Sequence, residues 1–459
     1  MRHFMFCLVV LSLVAFAGPK PLHAQTDEGD RGYIQGLLED ALSAPGRTVR
    51  MEGFAGALSS RATIDKITVT DPEGVWLTAS DLVLVWNRSA LLRGEVDIDE
   101  ITIGEIDLPR RPVPAETPLP APEASGAFAL PELPVSVNIA KMAITKAVLG
   151  KALFGEAAEV SFSGKAALAS GAGSVTLAVK RLDRAGTFSL TGAFDNATRV
   201  LDFDLNLTEP EDGIAANLLN LPGKPPVVLS VQGKDPVSDF NATIRLATDG
   251  KERLSGKVEL TTAQDGATRF STELQGDVAP VVAPQFAAFL GDDVALVASG
   301  ERAADGDLLL DKLHVKTAAM QIGGSAEIGA DGWPRKLLLN AQITPPAGDS
   351  VILPLPGPQV SVREADFSAQ FDAAAGDSWR IDGRADGVDV GTSRVKVATF
   401  AGEGKILRDA QSVTGGFSLT LTGWPRVIRR WRRPSANGCM ARCALAGRRA
   451  RRLGCGIWR

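Results

Sequence analysis

Residues 62–112 read ATIDKITVTDPEGVWLTASDLVLVWNRSALLRGEVDIDEITIGEIDLPRRP. Apolar and polar residues alternate through much of this stretch, as where Val96 and Ile98 alternate with Asp97 and Asp99. Such alternation is typical of strands with one buried face and one face in water. We therefore expect roughly four or five consecutive strands here. Changes of phase near Ile101 and Ile106 predict bulges, because a one-residue slip moves side chains to the other face.

The same pattern of strand and turn continues through residues 135–424 and predicts a mostly β, elongated, repeat-like sheet. At about one strand every 10 residues, this region would hold roughly 25 to 30 strands. Asp-Gly pairs are strong hairpin-turn signals. They recur at positions 212–213, 249–250, 265–266, 305–306, 331–332 and 382–383.

Two short helices interrupt the strand pattern. Residues 31–44 (RGYIQGLLEDALSA) place apolar side chains at helical spacing after a possible N-cap at Asp30. We interpret this segment as a helix packed on the end of the sheet. A membrane-surface helix is the alternative, but its polar face carries Glu39 and Asp40 instead of basic residues. A second short helix is expected near residues 284–290.

The first 24 residues have the pattern of an export signal. A short basic start precedes the apolar run FMFCLVVLSLVAFA at residues 4–17, and His23-Ala24 precede a possible cleavage site. A run of 14 residues is short for a spanning helix. We expect a cleaved signal peptide, with an uncleaved signal anchor in the inner membrane as the alternative. Either one predicts an exported protein.

Two further segments differ from the sheet region in composition. Residues 112–134 are rich in proline and predict an extended linker. From position 426 onward there are eleven Arg and no Asp, Glu or Lys, which leaves 38 basic against 54 acidic residues elsewhere. We interpret residues 425–459 as an out-of-frame or disordered tail. The predicted segments are thus 1–24 (signal), 25–111 (helix and β-ladder), 112–134 (linker), 135–424 (β-groove) and 425–459 (tail).

The sequence contains almost no catalytic residue types. His3 and His23 lie in the signal, and His314 stands alone in a predicted strand. The tail cysteines Cys439, Cys443 and Cys455 have no nearby histidine, so they form a weak zinc pattern. No nucleotide, metalloprotease or serine-hydrolase motif occurs. We therefore expect no enzyme activity and no cofactor, and the acidic body predicts no nucleic-acid partner. The Arg-rich tail leaves contact with nucleic acid or anionic lipid as an alternative for that segment.

The opening ladder resembles the N-terminal region of the TamB (translocation and assembly module subunit) family. The resemblance rests on residues 74–77 (GVWL), 82–86 (LVLVW) and 90–96 (ALLRGEV), with a weaker similarity over 194–233. It implies an AsmA-like, bridge-forming lipid transport protein, with a highly curved, antiparallel-rich β-sheet that forms an apolar groove. The implied location is the periplasm, in association with the inner membrane. The implied partners are phospholipid acyl chains, the inner membrane and an outer-membrane TamA-like barrel protein. The family's C-terminal domain has no counterpart in this sequence.

The resemblance implies that phospholipids move along the groove toward the outer membrane, and that the protein supports assembly of outer-membrane proteins and autotransporters. A protein-assembly scaffold that pairs its strand edges with a client, without lipid conduction, is the alternative. An envelope hydrolase is a third interpretation, and it lacks a catalytic cluster. The candidate groove residues are Leu82, Leu84, Trp86, Val96 and Ile98.

Overall fold

The computed structural model describes residues 27–56, 59–113, 129–263, 265–346, 348–391, 393–407, 412–423 and 451–456. The predicted signal peptide, most of the proline-rich linker, and residues 425–450 and 457–459 of the tail lie outside these ranges. The chain divides into two compact units. Unit 1 comprises Met1–Asn220 with Lys224–Val227, and unit 2 comprises Leu221–Gly223 with Val228–Arg459.

Unit 1 is a sheet of long strands preceded by one helix. The strands pair with their sequence neighbours in antiparallel fashion, except for β4 and β5, which flank the proline-rich segment and pair in parallel. A 3-10 helix, Arg88–Arg93, joins β3 to β4. The elements in order are α1 (Asp27–Leu42), β1 (Thr48–Glu52), β2 (Arg61–Asp71), β3 (Gly74–Trp86), β4 (Glu95–Leu108), β5 (Ser136–Leu149), α2 (Lys151–Phe154), β6 (Ala158–Ala169), β7 (Ala172–Arg181), β8 (Thr187–Asp195), β9 (Val200–Glu209) and α3 (Ile214–Leu218).

Unit 2 continues the same antiparallel style. Strands β11 to β17 pair in sequence order, β17 then pairs with β20, and the order continues to β24, with a short β18–β19 hairpin beside β21. Two 3-10 turns, Ala279–Val281 and Pro284–Phe286, precede its helix. The elements are β10 (Val227–Pro236), β11 (Asp239–Thr248), β12 (Lys251–Thr262), β13 (Thr268–Gly276), α4 (Ala287–Leu290), β14 (Val294–Arg302), β15 (Leu308–Lys316), β16 (Met320–Ile328), β17 (Pro334–Ile343), β18 (Val351–Ile352), β19 (Val360–Val362), β20 (Glu364–Asp372), β21 (Ser378–Val390), β22 (Ser393–Leu407), β23 (Ser412–Thr422) and β24 (Arg451–Gly456).

The mostly β fold with a short N-terminal helix is confirmed. The highly curved form is not confirmed, because the sheet in each unit is neither closed nor strongly curled. Alternation of residue types fixes which side chains share a face, but it carries little information on how far a sheet bends across its strands. Bending depends on the bulges and the twist that accumulate from strand to strand.

The opening ladder contains three strands, β2 to β4, instead of four or five. The phase changes that suggested extra strands are irregularities inside the single strand β4. The register between β3 and β4 shifts between Val85 and Trp86, and the pairing omits Asp81 and Gly104. The two predicted irregularities are therefore confirmed, whereas the additional strands are not.

The Asp-Gly signal has mixed outcomes. Asp249 and Gly250 join β11 to β12 with φ values of 53° and 70°, as a type I′ hairpin turn requires. Asp382 and Gly383, in contrast, lie inside strand β21, so that predicted turn is wrong. Asp382 is exposed on one face, and a Cβ at Gly383 would collide with the ring of Phe400 on the other. Here glycine makes room for an aromatic ring rather than for a turn.

Candidate functional site

The five predicted groove residues lie on one face of the unit 1 sheet. Leu82, Leu84 and Trp86 alternate along β3 and therefore share a face. Leu84, Trp86 and Val96 pack against the buried side chain of Ile98 in one apolar cluster. Leu82 lies two residues before Leu84 in β3, opposite Ile103 of β4, and therefore projects from the same face. The five residues therefore share one face, and their role in contacting lipid stays a prediction.

The apolar face extends from β2 to β9. Residues directly opposite one another in neighbouring strands project from the same face, so the pairings define continuous rows of side chains across unit 1. Every member of the row through Leu82 is half-buried. This row consists of Ile64, Leu82, Ile103, Ile144, Phe162, Val179, Phe188 and Leu207.

A second row runs beside the first through Leu84. It contains one glycine and otherwise only apolar side chains. Its members are Ala62, Leu84, Ile101, Met142, Gly164, Leu177, Leu190 and Leu205. The rows cross eight strands, and at about 4.8 Å per strand they span roughly 34 Å.

The opposite face of unit 1 is the more polar of the two. On β8 and β9, for example, Ser189 pairs with Asn206 and Thr191 pairs with Asp204. Asn138 on β5 donates a hydrogen bond of 2.9 Å to Asp97 on β4. Each strand thus separates an apolar face from a hydrated one, which explains the alternation in the sequence.

Unit 2 carries a corresponding apolar row across eleven strands. All of its members are half-buried, and the row spans roughly 48 Å at about 4.8 Å per strand. It consists of Ile244, Gly256, Leu274, Leu296, Val315, Ile322, Ala341, Phe367, Gly383, Phe400 and Leu419.

Aromatic rings fill the places of missing side chains near the end of this row. Phe367 and Phe400 lie 6.0 Å apart between ring centroids, and Trp379 and Phe417 lie 5.2 Å apart. The Trp379 and Phe417 rings both extend over Gly402. Such aromatic cover compensates for glycine in a strand, and it makes this part of the face a broad apolar surface.

Helix α1 covers the free edge of strand β1. In an antiparallel pair every second residue leaves its N–H and C=O on the outer side. Met51 N–H donates to Glu39 Oε1 at 2.7 Å, Met51 C=O accepts from Gln35 Nε2 at 2.7 Å, and Val49 N–H donates to Ser43 Oγ at 3.0 Å. The bond from Met51 is the largest cause that holds the pKa of Glu39 below its usual range. Three outer backbone groups of this edge are therefore already bonded.

The described ranges contain no cluster of side chains suited to bind a metal ion. His314 lies in β15 opposite Val297 and Gly323, as an ordinary sheet residue. Among the residues that the structure describes, no three His, Cys, Asp or Glu side chains come close enough to hold a metal ion. Within those same ranges, none of the helices has the length and apolar character needed to cross a membrane.

The sequence analysis found the apolar face in β3 and β4 and missed its continuation. The missed signal was the phase of alternation on either side of each hairpin, which keeps apolar residues in cross-strand register from β5 to β9 and from β11 to β23. Comparisons with protein-family models, with curated proteins and with solved structures gave no match. The resemblance to the TamB family therefore remains a hypothesis drawn from the residues.

Proposed function

We propose that this chain is an exported carrier of phospholipid acyl chains, which lie on the apolar faces of its two sheet units. The observation that carries the proposal is the apolar rows, in which all side chains except the buried Leu177 are half-buried instead of packed beneath a second layer. Large exposed apolar surfaces on soluble proteins usually mark interaction sites. A linear surface of this kind suits a long, flexible apolar ligand.

The energetics of such a surface need no covalent chemistry. Burial of an acyl chain contributes about 0.8 kcal/mol for each CH₂ group removed from water. The headgroup stays in water beside the sheet while the chain lies across the rows. Because neighbouring rows are chemically alike, an acyl chain can shift from one position to the next without a large change in free energy.

An enclosed, strongly curled groove is not needed for this activity. The open face provides contact on one side of the acyl chain, and we propose that this suffices for transient binding. We propose that acyl chains move along these apolar rows toward the outer membrane, which is the direction that the family resemblance implies. Support for outer-membrane protein and autotransporter assembly, with an outer-membrane TamA-like barrel protein as partner, is part of the same proposal.

We further propose that unit 1 contacts the inner membrane through the 3-10 helix Arg88–Arg93. Leu92 is 91% exposed and Leu91 is 41% exposed, whereas Ala90 is completely buried and fixes the turn. Arg88 and Arg93 flank these leucines, and Arg93 pairs with Glu95 at 2.8 Å. Exposed apolar side chains between basic residues suit the interface of an anionic bilayer.

The alternative function is a scaffold that pairs its strand edges with client proteins, without lipid conduction. This mechanism needs an edge with unbonded backbone groups. The side chains of Gln35, Glu39 and Ser43 already bond the outer edge of β1, which disfavours augmentation at that strand. The lipid-carrying function is therefore the better supported of the two.

Mass spectrometry of lipids in a detergent-free preparation tests the proposal. The wild-type chain should co-purify with phospholipid, and Leu82→Arg should lower the bound amount severalfold, because a charge in an apolar row repels acyl chains. Val83→Arg is the matched control, since Val83 is the next residue in β3 and projects from the other face beside Thr63 and Thr102. Wild-type protein without bound phospholipid, or equal loss in both variants, contradicts the proposal.

A further inference from the structure

Residues 129–134 (ALPELP) cross the apolar face of unit 1. The side chains of Leu130 and Leu133 are half-buried, while the intervening Pro131 and Glu132 are exposed. The side chain of Leu130 lies over Gly173, where an added Cβ would come within 2.8 Å of Leu130 Cδ1. Gly173 belongs to the apolar face, because it pairs with Leu168 and Phe194 in neighbouring strands.

Leu133 contacts a different part of the same face. It packs against the cluster whose buried members are Ile98, Val137 and Ile139, on strands β4 and β5. Gly173, under Leu130, lies on β7. Two strand spacings separate β5 from β7, which is about 9.6 Å, and three residues of extended chain cover roughly 10 Å. The segment therefore runs across the strands instead of along them.

The side chain of Asn196 fastens the start of this segment. Its Nδ2 donates to the carbonyl of Leu130 at 2.9 Å, and its Oδ1 accepts from the N–H of Leu130 at 2.8 Å. Asn196 is itself held in the turn after β8, where its N–H donates to the Gly171 carbonyl at 3.0 Å. A backbone segment over an apolar face has few partners for its polar groups, and unbonded groups are costly. Asn196 supplies both bonds at the point where they are needed.

We propose that residues 129–134 form a strap that occupies one end of the unit 1 apolar face and competes there with an apolar ligand. This inference rests on the proposed acyl-chain function of that face. Two leucines on the face and one amide pair hold the strap, so its local opening requires far less free energy than unfolding of the sheet. Opening exposes the part of the face around Gly173 and Leu168, which the strap covers when closed.

The strap gives the face a built-in competitor. An acyl chain that reaches this end of unit 1 must displace Leu130 and Leu133. Its apparent affinity there is therefore the intrinsic affinity multiplied by the fraction of molecules whose strap is open. A ligand on the strands of unit 1 that the strap does not cross binds without displacing Leu130 or Leu133. The strap therefore sets a lower occupancy at this end of unit 1 than the chemistry of the face alone would give.

The test uses the full chain and a fatty acid that carries a photoactivatable diazirine. Labelled peptides are mapped by mass spectrometry, and the measured quantity is the labelling of residues 160–195 in unit 1 divided by the labelling of unit 2. Asn196→Ala should raise this ratio roughly tenfold, the change expected for loss of ordinary hydrogen bonds that favour the closed strap. Leu130→Asp should raise it as well, because a carboxylate does not rest on an apolar face. Glu132→Ala, at an exposed position of the same strap, is the matched control and should leave the ratio unchanged.

Amide hydrogen exchange at Leu130 reports strap opening independently of any ligand. If exchange is faster in Asn196→Ala or Leu130→Asp but the labelling ratio does not change, the strap opens without affecting ligand binding, and the strap inference is wrong. Labelling of unit 2 in the same experiment would leave the proposed function intact. Exchange that stays slow in both variants also overturns it, because the strap would then be held by contacts other than these. If neither unit is labelled, in the wild type or in any variant, the apolar faces do not bind the fatty acid. This result contradicts the proposed function and, with it, the inferred competition between strap and ligand.

Discussion

Asp71 shows how a single carboxylate organises one end of unit 1. It accepts two hydrogen bonds from Arg110, at 2.6 and 2.8 Å, and a third from the N–H of Val113 at 2.8 Å. Its side chain is 2% exposed. These bonds join the β2–β3 turn to the residues that follow β4, where the proline-rich segment begins. The Arg110 guanidinium holds the pKa of the Asp71 carboxyl well below its usual range.

We predict that Asp71→Asn lowers the melting temperature at neutral pH, and that the difference from wild type shrinks in acid. A depressed folded-state pKa stabilises the protein at pH values above the unfolded pKa of about 4, and this contribution is lost as pH falls toward the folded value. Thermal unfolding followed at pH 7 and at pH 2 to 3 measures the effect. Glu73→Gln is the control, because Glu73 is 70% exposed and lies 3.9 Å from the same arginine. A difference that is constant with pH contradicts the assignment.

At the scale of elements, α1 is the clearest case of a helix that protects a strand. Leu38 and Leu42 pack against the buried Val49, Met51, Val69 and Trp76. Meanwhile the polar side chains of α1 bond the outer edge of β1. An uncovered edge would be a template for pairing with other chains. The helix therefore contributes to solubility as well as to the core.

We predict that Glu39→Ala destabilises unit 1 by roughly 1–2 kcal/mol, because it leaves the N–H of Met51 without its acceptor. The same change should speed amide exchange at Met51 and promote aggregation through β1. Chemical denaturation, hydrogen exchange and light scattering measure these effects. Glu39→Gln keeps an acceptor oxygen in the same place and should retain most of the stability. Normal exchange at Met51 in the alanine variant would exclude the edge-covering role of Glu39.

Local patterns predicted the elements better than they predicted their arrangement. The spacing of Leu38 and Leu42 identified the first helix, and alternation at Val96 and Ile98 identified the apolar side of β4. The dipeptide at Asp382 misled because glycine serves both turns and aromatic packing, and only the position of Phe400 distinguishes the two. The parallel pairing of β4 with β5 also lay beyond local pattern, because residues 109–135 separate these strands.

At the scale of the whole molecule, the shared feature of the two units is an apolar face that crosses many strands. The apolar rows in each unit arise because hairpin after hairpin keeps the same phase of alternation, which a reading of single segments does not detect. The shared face of Leu82, Leu84 and Trp86 could be predicted because several apolar residues crowd one strand. The remaining rows consist of ordinary valines, leucines and phenylalanines, and only the cross-strand register brings them together. The curvature was mispredicted because it came from the family resemblance and not from these residues.

The acidic character of the chain outside its tail makes contact with an anionic bilayer unfavourable over most of its surface. Contact should therefore be local, at the exposed leucines of the Arg88–Arg93 turn. We predict that a polarity-sensitive NBD probe on Leu92→Cys, with the four native cysteines changed to serine, shifts to shorter wavelength and brightens when vesicles of phosphatidylcholine and phosphatidylglycerol are added. The same probe on Leu218→Cys, 56% exposed in the wild type, should stay in water. That position lies beyond β9, at the opposite end of the unit 1 strands.

A local probe is needed because the apolar run at residues 4–17 and the Arg-rich tail could each bind vesicles independently of this turn. Arg88→Glu should weaken the response at position 92, since a carboxylate repels the anionic headgroups that arginine attracts. Pure phosphatidylcholine vesicles should give a smaller response for the same reason. Equal blue shifts at positions 92 and 218 would mean that the bilayer contacts unit 1 without selecting this turn. A probe at position 92 that remains in water would mean that Leu92 does not enter the membrane. The proposed membrane contact through the Arg88–Arg93 turn would then be wrong, and another part of the chain would have to take lipid from the bilayer.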